Sequence, residues 1–428
     1  MEVTQLTLAI LALPFIGFVA LGLWGKTVFR SAAGIVSTLL LSGAAVLSWV
    51  VAAHYFFPEG SAAATHPLQV LQRWSWLVLP NGLTIEVGLL LDPAAVMMLI
   101  VVTGVSLLVH IFSMGYMKGE SRYPTYFAYL SLFTFSMLGI VLSSNLFQIY
   151  MFWELVGLSS FLLISFYFYK PAALAASKKA FIVTRFADLG FLIGILILSF
   201  QGESLDVPTL LQRFTDVQSG FYAKAAATSF LGFSVLTWGL LLIFMGGAGK
   251  SAMFPLHIWL PDAMEGPTPV SALIHAATMV VAGVYLVARL FPLFSLDAVA
   301  MQAIALIGIF SAVLAAVIAC TQSDLKRVLA YSTMSQIGFM MFSLGVARNT
   351  PEQQLGYTAS LFHLFTHAFF KSLLFLAAGA IIHYVHSNDI FAMGGLRKKM
   401  PITHFSFLVA CLAISGVPFF SGFFSKEE

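Results

Sequence analysis

Charged residues and cysteines are scarce in this chain of 428 residues. Asp, Glu, Lys and Arg together make up 9% of it, whereas a soluble domain carries about a quarter of such residues. The two cysteines, Cys320 and Cys411, lie far apart in apolar runs, which excludes a CxxC metal site or an iron–sulfur cluster. The net charge of +3 is too small and too scattered to indicate nucleic-acid binding. A soluble domain is therefore excluded.

Apolar residues are abundant instead, at 60% of the chain with a mean hydropathy of +0.94. Glu2 and the lack of a basic N-terminal region predict that the first apolar run is a retained helix rather than a cleaved signal peptide. Because about 20 apolar residues span a bilayer, the sequence predicts an all-α polytopic membrane protein with about twelve transmembrane helices. We place them near 5–24, 32–57, 92–114, 125–143, 146–169, 180–200, 229–259, 268–291, 299–319, 328–346, 357–384 and 402–428.

Two further features concern the surface. Residues 66–91 differ from the rest, because LTIEVGLLLD follows the turn signal Pro80-Asn81-Gly82 and predicts a short β-hairpin on the outer surface. With the N-terminus outside, twelve basic residues fall in inner loops and five in outer loops, which favours that orientation. The inner set is Lys26, Arg30, Lys118, Arg122, Lys170, Lys178, Lys179, Lys326, Arg327, Arg397, Lys398 and Lys399; the outer set is Arg73, Arg213, Lys224, Arg289 and Arg348.

Six charged residues remain within or at the edge of apolar runs: Arg185, Lys250, Lys371, Lys426, Glu154 and Asp188. A charge in the middle of a membrane costs about 2.5–3.5 kcal/mol, so each one needs a partner or a function. Glu154 is either one half of a structural ion pair or a protonatable site, and we favour the second interpretation. Arg185 and Asp188 are three residues apart and are expected to pair on one helix face, for a structural or a functional reason.

Two lysines follow interruptions of an apolar helix. Glycines precede Lys250 and Pro255 follows it, while Gly416, Pro418 and Gly422 precede Lys426. Paired interruptions of this kind indicate a transporter built from repeats. The string GAGKS is not a P-loop, because Phe244 stands where that motif needs glycine.

Histidines lie between these lysines along the chain. His363, His367 and Lys371 follow each other at helical spacing and should stack on one face, while His275 lies in a separate apolar run. Core histidines bound to backbone groups are one interpretation. A zinc site lacks a nearby third ligand, and a haem site lacks a matched histidine pair. A titratable column that relays protons accounts for His363, His367 and Lys371 together. Asp324, Lys326 and Arg327 are interpreted as anchors at the membrane interface.

Several long strings resemble the large antiporter-like subunit of proton-pumping NADH:quinone oxidoreductase, respiratory complex I. They are GPTPVSALIHAATMVVAGVYL, SDLKRVLAYSTMSQIGFM, HAFFKSLLFLAAGA, MGGLRKKMP and SGFFSK, and the likeness runs from about residue 85 to the end.

The resemblance implies a fold of two inverted five-helix repeats with discontinuous helices. The chain would divide into 1–114, with N-terminal helices and the hairpin, 115–291 as the first repeat, and 292–428 as the second, apparently truncated. The implied proton-translocation residues are Glu154 with Lys250 in a first half-channel, His275, His363, His367 and Lys371 in a connecting axis, and Lys426 at the exit. Asp188 matches a family acidic position, and Arg185 and Glu427 complete the candidate set.

The implied function is proton translocation in a bacterial inner membrane, driven by quinone reduction elsewhere in the complex. This chain would hold no cofactor or metal, while NADH, flavin, iron–sulfur clusters and quinone would bind partner subunits. Those partners are other antiporter-like membrane subunits and the peripheral NADH-oxidising arm. Alternatives are a subunit of a multi-subunit cation/proton antiporter or of a bicarbonate-uptake complex, and a scaffold whose buried charges only hold helices together. A redox enzyme would need ligands that the sequence lacks.

Overall fold

The protein is largely helical in a computed structural model that describes residues 2–57, 68–78, 84–350 and 354–427. Within these ranges, eight segments are long and apolar enough to cross a membrane, and the first, Val3–Phe56, contains two successive helices. The predicted all-α polytopic membrane fold is confirmed. The number of twelve spans and the inverted repeats stay predictions.

The first part of the chain, up to Lys250, folds mainly into long helices, most of which follow one another with short connections. Several begin with a side chain that accepts a hydrogen bond from a backbone N–H of the first turn, as Asp92 does from Ala95 and Asn145 from Gln148. The helices are α1 Val3–Trp24, α2 Ala33–Phe56, α3 Pro93–Tyr116, α4 Tyr123–Leu142, α5 Leu146–Ile164, α6 Pro171–Gly202, α7 Val207–Thr215, α8 Phe221–Ala227 and α9 Val235–Lys250.

The second half has more interruptions. Its helices are α10 Thr268–Ala276, α11 Met279–Arg289, α12 Phe291–Phe294, α13 Ala298–Ala319, α14 Leu325–Val346, α15 Leu355–Val385, α16 Pro401–Ile414 and α17 Ser421–Glu427. All residues of α10 and α11 are buried, so these two short helices form the centre of the molecule.

Strands are confined to two small antiparallel pairs in the described residues. Strand β1, Gln69–Val78, pairs with β2, Thr84–Leu91, which confirms the predicted hairpin. Its predicted turn, Pro80-Asn81-Gly82, lies outside the described residues. The backbone N–H of Gly88 donates to Gln148 Oε1 at 2.9 Å, which attaches the hairpin to α5. The second pair, β3 Ser229–Phe230 and β4 Phe233–Ser234, was not predicted.

Three helix interruptions position buried polar groups. Helix α9 ends at Lys250, as predicted, and the chain then runs through two short 3₁₀ turns before α10 begins. A non-helical stretch with Gly416 at φ +72° separates α16 from α17, also as predicted. The span predicted near 268–291 is found as the apolar segment Thr268–Arg289, but the backbone within it leaves helical geometry at Ala277 and Thr278.

Small residues allow close helix packing, most clearly between α13 and α14. A Cβ atom added to Gly338 would lie 2.6 Å from the carbonyl oxygen of Gly308 on the neighbouring helix. No larger side chain fits at that distance, so the two backbones are in direct contact. Packing by small residues is the means by which helices associate in lipid, where burial of apolar surface gives little driving force.

Candidate functional site

A fully buried ion pair lies among α5, α6 and α9. Lys250 Nζ, at the last residue of α9, is 3.0 Å from Asp188 Oδ2 on α6. Their side chains are 0% and 1% exposed. Trp153 Nε1 on α5 donates to the other carboxylate oxygen of Asp188 at 2.8 Å, so both oxygens have a hydrogen-bonding partner. The pair is therefore held by three helices.

A second ion pair lies beside it and nearer the surface. Arg185 on α6 pairs with Glu154 on α5, and its guanidinium stacks over the Phe181 ring at 4.6 Å from the centroid. The expected pairing of Arg185 with Asp188 is thus wrong. A shared helix face brings their backbones together, but Asp188 points inward to α9 whereas Arg185 lies along the outer side of α6.

Glu154 and Lys250, which the resemblance places in one half-channel, pair with Arg185 and Asp188 respectively. The lysine is nevertheless close to α5, because a Cβ atom added to Gly157 would lie 2.7 Å from Lys250 Nζ. Gly157 is one turn after Glu154. We call the four residues Glu154, Arg185, Asp188 and Lys250 the paired cluster.

His275 occupies the last turn of α10, directly before the interruption that separates α10 from α11. Its side chain is fully buried, and its ring lies 4.8 Å, centroid to centroid, from Phe375 on α15. Neither ring nitrogen has a hydrogen-bond partner among the described residues. The histidine connects the central helices to α15, which carries the remaining candidates.

His363, His367 and Lys371 all lie on α15 and are all buried, so the predicted column exists. The rings of His363 and His367 are 6.3 Å apart, centroid to centroid. Lys371 Nζ donates to Ser332 Oγ on α14 at 2.5 Å and forms no ion pair within the described ranges. His367 has no hydrogen-bond partner there either.

His363 is held by two polar side chains that the sequence did not single out. Its Nδ1 lies 2.9 Å from Ser425 Oγ on α17, and its Nε2 lies 3.0 Å from Gln336 Oε1 on α14. A cavity of about 520 Å³ between these helices reaches His363 and Lys426. His363, His367, Lys371 and Lys426 form what we call the unpaired cluster.

Lys426 lies on α17 and is exposed at the surface of the described chain. Its ammonium donates to the carbonyl oxygen of Ile414, the last residue of α16. Carbonyl groups at a helix C-terminus carry partial negative charge and attract a cation. The Glu427 side chain lies outside the described residues.

Two buried cations were missed because each was assigned to a loop. Lys326, expected to be an interfacial anchor, is 4% exposed and donates to the backbone carbonyls of Met264 and Gly266. It lies in the first turn of α14, where that turn packs against the non-helical segment after α9. Arg289 pairs with Asp92, which joins the end of α11 to the start of α3. Only tertiary packing, and no local signal, distinguishes these residues from loop cations.

The described residues contain no group of three or more His, Cys, Asp and Glu side chains arranged to hold a metal ion. No third ligand therefore joins His363 and His367 in that part of the chain.

Comparison with known families gives a match over more than half of the chain. The family described as NADH:quinone oxidoreductase/Mrp antiporter, transmembrane, matches residues 143–428. A second family, described as the N-terminus of chain 5 of NADH-ubiquinone oxidoreductase (complex I), matches residues 76–127.

Individual relatives agree with this match. The chain is 45% identical over 426 residues to NADH-quinone oxidoreductase subunit L of Neisseria meningitidis serogroup B, covering 99% of this chain and 60% of that protein. It is 46% identical over 409 residues to the chloroplastic NAD(P)H-quinone oxidoreductase subunit 5 of Marchantia polymorpha, covering 94% and 56%. This chain therefore spans about 60% of the length of these relatives.

A solved structure of the Mrp complex from Dietzia sp. contains a chain of similar fold. The TM-score is 0.82 and the identity 32%, and the match covers 99% of this chain and 42% of that one.

Proposed function

The chain belongs to the NADH:quinone oxidoreductase/Mrp antiporter family, and from that premise we propose that it translocates protons as part of the membrane arm of an NADH:quinone oxidoreductase. Its functional counterparts in this proposal are subunit L and subunit 5. As such a subunit it takes part in an oxidoreductase reaction that other subunits catalyse. Moving one charge against 100 mV requires about 2.3 kcal/mol, and quinone reduction in those subunits supplies it.

The proposed path begins at the paired cluster. Glu154, at the more exposed pair, exchanges protons with one side of the membrane, and Arg185 fixes its carboxylate. Asp188 and Lys250 lie deeper and pass the proton inward, since Lys250 ends α9 directly before a helix interruption at membrane depth. A lysine at such a position can change its contacts with little rearrangement of the helices.

The proposed path continues through His275 and the α15 column. His275 and His367 are buried imidazoles whose nitrogens have no hydrogen-bond partner in the described ranges. A buried polar group without a hydrogen bond is unfavourable. Imidazole both accepts and donates a proton, which suits a relay between Lys250 and Lys371. Lys426, with Glu427 next to it in sequence, forms the exit in this proposal.

Partners and location follow from the same proposal. The chain packs against other antiporter-like membrane subunits, and NADH, flavin, iron–sulfur clusters and quinone bind in the peripheral arm and its neighbours. The membrane is the inner membrane of a bacterium, with the N-terminus outside, as the loop charges favour. The repeats at 115–291 and 292–428, and the N-terminal unit 1–114, remain part of the proposal.

The observation that carries the proposal is the fully buried Lys250–Asp188 pair at the end of an interrupted membrane helix. The test uses the whole complex reconstituted in vesicles, with NADH-driven acidification followed by a pH-sensitive dye. Glu154→Gln and Lys250→Ala are expected to lower the protons moved per NADH oxidised. The exposed loop variant Lys398→Ala serves as the control and should move protons normally.

Normal pumping by both Glu154→Gln and Lys250→Ala would show that the assigned path is wrong. Loss of assembled complex with normal pumping by the remainder would favour the scaffold alternative.

A cation/proton antiporter subunit is the second candidate, favoured by the likeness to the Mrp complex chain. The two are distinguished in the same vesicles. An antiporter subunit would give acidification that depends on a sodium gradient and not on NADH, whereas the favoured function needs NADH and no sodium.

A further inference from the structure

A cavity of about 760 Å³ opens at one end of helices α1 to α4, far in sequence from the candidate proton path. It lies between the α1–α2 connection and the α3–α4 loop. Lys26, Arg30 and Lys118 contribute cationic side chains to its lining, and Glu120 contributes the single carboxylate. The lining therefore carries three positive charges and one negative charge, which gives a net charge of +2.

The three cations have no countercharge of their own. Lys26, Arg30 and Lys118 are exposed and form no ion pair within the described ranges. Glu120 instead accepts a hydrogen bond from the Tyr167 hydroxyl at 3.4 Å. Like charges that line one cavity repel each other, and an anion bound among them relieves that repulsion.

The rim of the cavity is apolar and faces outward. Ile35 in the lining is 56% exposed, and Trp24 and Val28 on the same connection are 51% and 66% exposed. The connection joins two apolar helices, so these side chains lie where α1 and α2 leave the hydrocarbon region. Tryptophan is enriched at that depth, between the acyl chains and the headgroups.

The backbone at Arg30 supports a functional reason for this geometry. Arg30 has φ +43° and ψ −116°, a conformation that glycine adopts easily and that L-residues with a side chain rarely do. Such a conformation costs on the order of 1–3 kcal/mol, and residues of this kind cluster at ligand-binding positions. An arginine, rather than a glycine, occupies this position at the edge of a basic cavity.

We infer that this cavity binds the phosphate-bearing headgroup of an anionic phospholipid. The guanidinium of Arg30 can bind two phosphate oxygens at once, and the ammonium groups of Lys26 and Lys118 add point charges. Basic pockets between membrane helices on the inner side are suited to such headgroups. The acyl chains then lie along the exposed apolar surface of Trp24, Val28 and Ile35.

The experiment uses the full-length protein purified in detergent, with native mass spectrometry to count bound lipid. Phosphatidylglycerol is the anionic probe and phosphatidylcholine the zwitterionic one. The test variant is Lys26→Gln/Arg30→Gln/Lys118→Gln. The matched control, Arg397→Gln/Lys398→Gln/Lys399→Gln, removes three equally exposed cations from the loop before α16.

The expected result is about a tenfold weaker affinity for phosphatidylglycerol in the cavity variant and about unchanged affinity in the control. Phosphatidylcholine binding should be the same in all three proteins. An equal loss in the control would mean general surface electrostatics and would overturn the inference, as would unchanged binding in the cavity variant.

Two further measurements distinguish a bound phospholipid from other anionic ligands of the cavity. Inorganic phosphate at the lipid concentration should not displace phosphatidylglycerol, and full displacement would assign the cavity to free phosphate instead. Carbodiimide cross-linking in the assembled complex tests for an acidic protein segment. A cross-link from Lys26 or Lys118 to another subunit would overturn the lipid assignment, whereas its absence together with lipid binding supports it.

Discussion

Lys250 and Lys371 are both fully buried lysines, yet they are stabilised in different ways. In the paired cluster each cation meets a carboxylate, as Lys250 meets Asp188 and Arg185 meets Glu154. In the unpaired cluster Lys371 donates to the Ser332 hydroxyl and meets no carboxylate within the described residues. No ion pair is formed by this cluster in the described ranges.

Lys250 is stabilised by an opposite charge, whereas Lys371 is stabilised by a hydrogen bond to a neutral hydroxyl group. A buried ion pair offsets part of its desolvation by mutual attraction, and removal of one member leaves an uncompensated charge. A lysine bound to a hydroxyl group leaves no opposite charge behind when it is replaced. Replacing a charged side chain in the paired cluster is therefore expected to lower the free energy of unfolding strongly. Replacing one in the unpaired cluster is expected to lower it weakly.

The largest effect is expected from breaking the Lys250–Asp188 pair. Lys250→Met or Asp188→Leu alone should lower the free energy of unfolding by about 3–5 kcal/mol, because each leaves its partner charged and buried. The double variant should regain most of that loss, since no charge remains. Thermal unfolding of the purified complex measures both. Single variants as stable as the wild type would contradict a buried, compensated pair, and restored pumping in the double variant would contradict its proposed role.

A smaller effect is expected from crowding the same lysine. Gly157→Ala places a methyl group 2.7 Å from Lys250 Nζ, so the ammonium must move and its 3.0 Å contact with Asp188 lengthens. We expect a loss of about 1–3 kcal/mol, as for other overpacked sites. Gly104→Ala on α3 is the control, because open space surrounds it. It should be neutral or stabilising by up to about 1 kcal/mol. Equal melting temperatures for the two variants would disprove the crowding argument.

A direct test of the comparison replaces the other buried lysine. Lys371→Met removes one hydrogen bond to Ser332 and leaves no opposite charge unpaired, so the expected loss is about 0.5–1.5 kcal/mol. Unfolding of this variant is to be measured beside that of Lys250→Met, since both lysines are fully buried. A loss as large as that of Lys250→Met would remove the distinction between the clusters. Vesicle pumping should nevertheless fall in both.

The smallest effect is expected at the outer pair. Glu154→Gln leaves Arg185 without its carboxylate, but about a third of that side chain is exposed and its guanidinium still stacks on Phe181. The expected loss of stability is below about 1 kcal/mol. Arg185→Gln is the comparison variant and should lose more, because it leaves the Glu154 carboxylate, whose two oxygens are both buried, without its cation. The melting curves of both complexes test this, and a loss near that of Asp188→Leu would mean that the two ion pairs act as one unit.

Local signals predicted the helix interruptions well where the residues themselves impose them. The glycines before Lys250 weaken the helix, and α9 ends there as expected. The column on α15 was also predictable, since residues four apart share a helix face. The hairpin at β1 and β2 follows from its β-prone residues.

The partner of each buried charged side chain was not predictable from the sequence, because it depends on how the helices approach each other. Asp188 and Arg185 share α6, but one meets α9 and the other meets α5. The interruption after His275 carries no glycine or proline, since Ala277 and Thr278 stand there, and it arises in a fully buried environment. The supporting roles of Trp153, Gln336 and Ser425 likewise appear only when the helices are packed.

The contact made by Lys326 has a consequence for how the sequence can change over generations. Its ammonium group binds backbone carbonyls at positions 264 and 266, and every amino acid supplies such an oxygen. A substitution at position 264 or 266 keeps an acceptor oxygen, whereas a substitution at 326 removes the ammonium group that binds it. Chimeras of related chains are therefore expected to keep this contact with a foreign 264–266 segment as long as they keep that lysine.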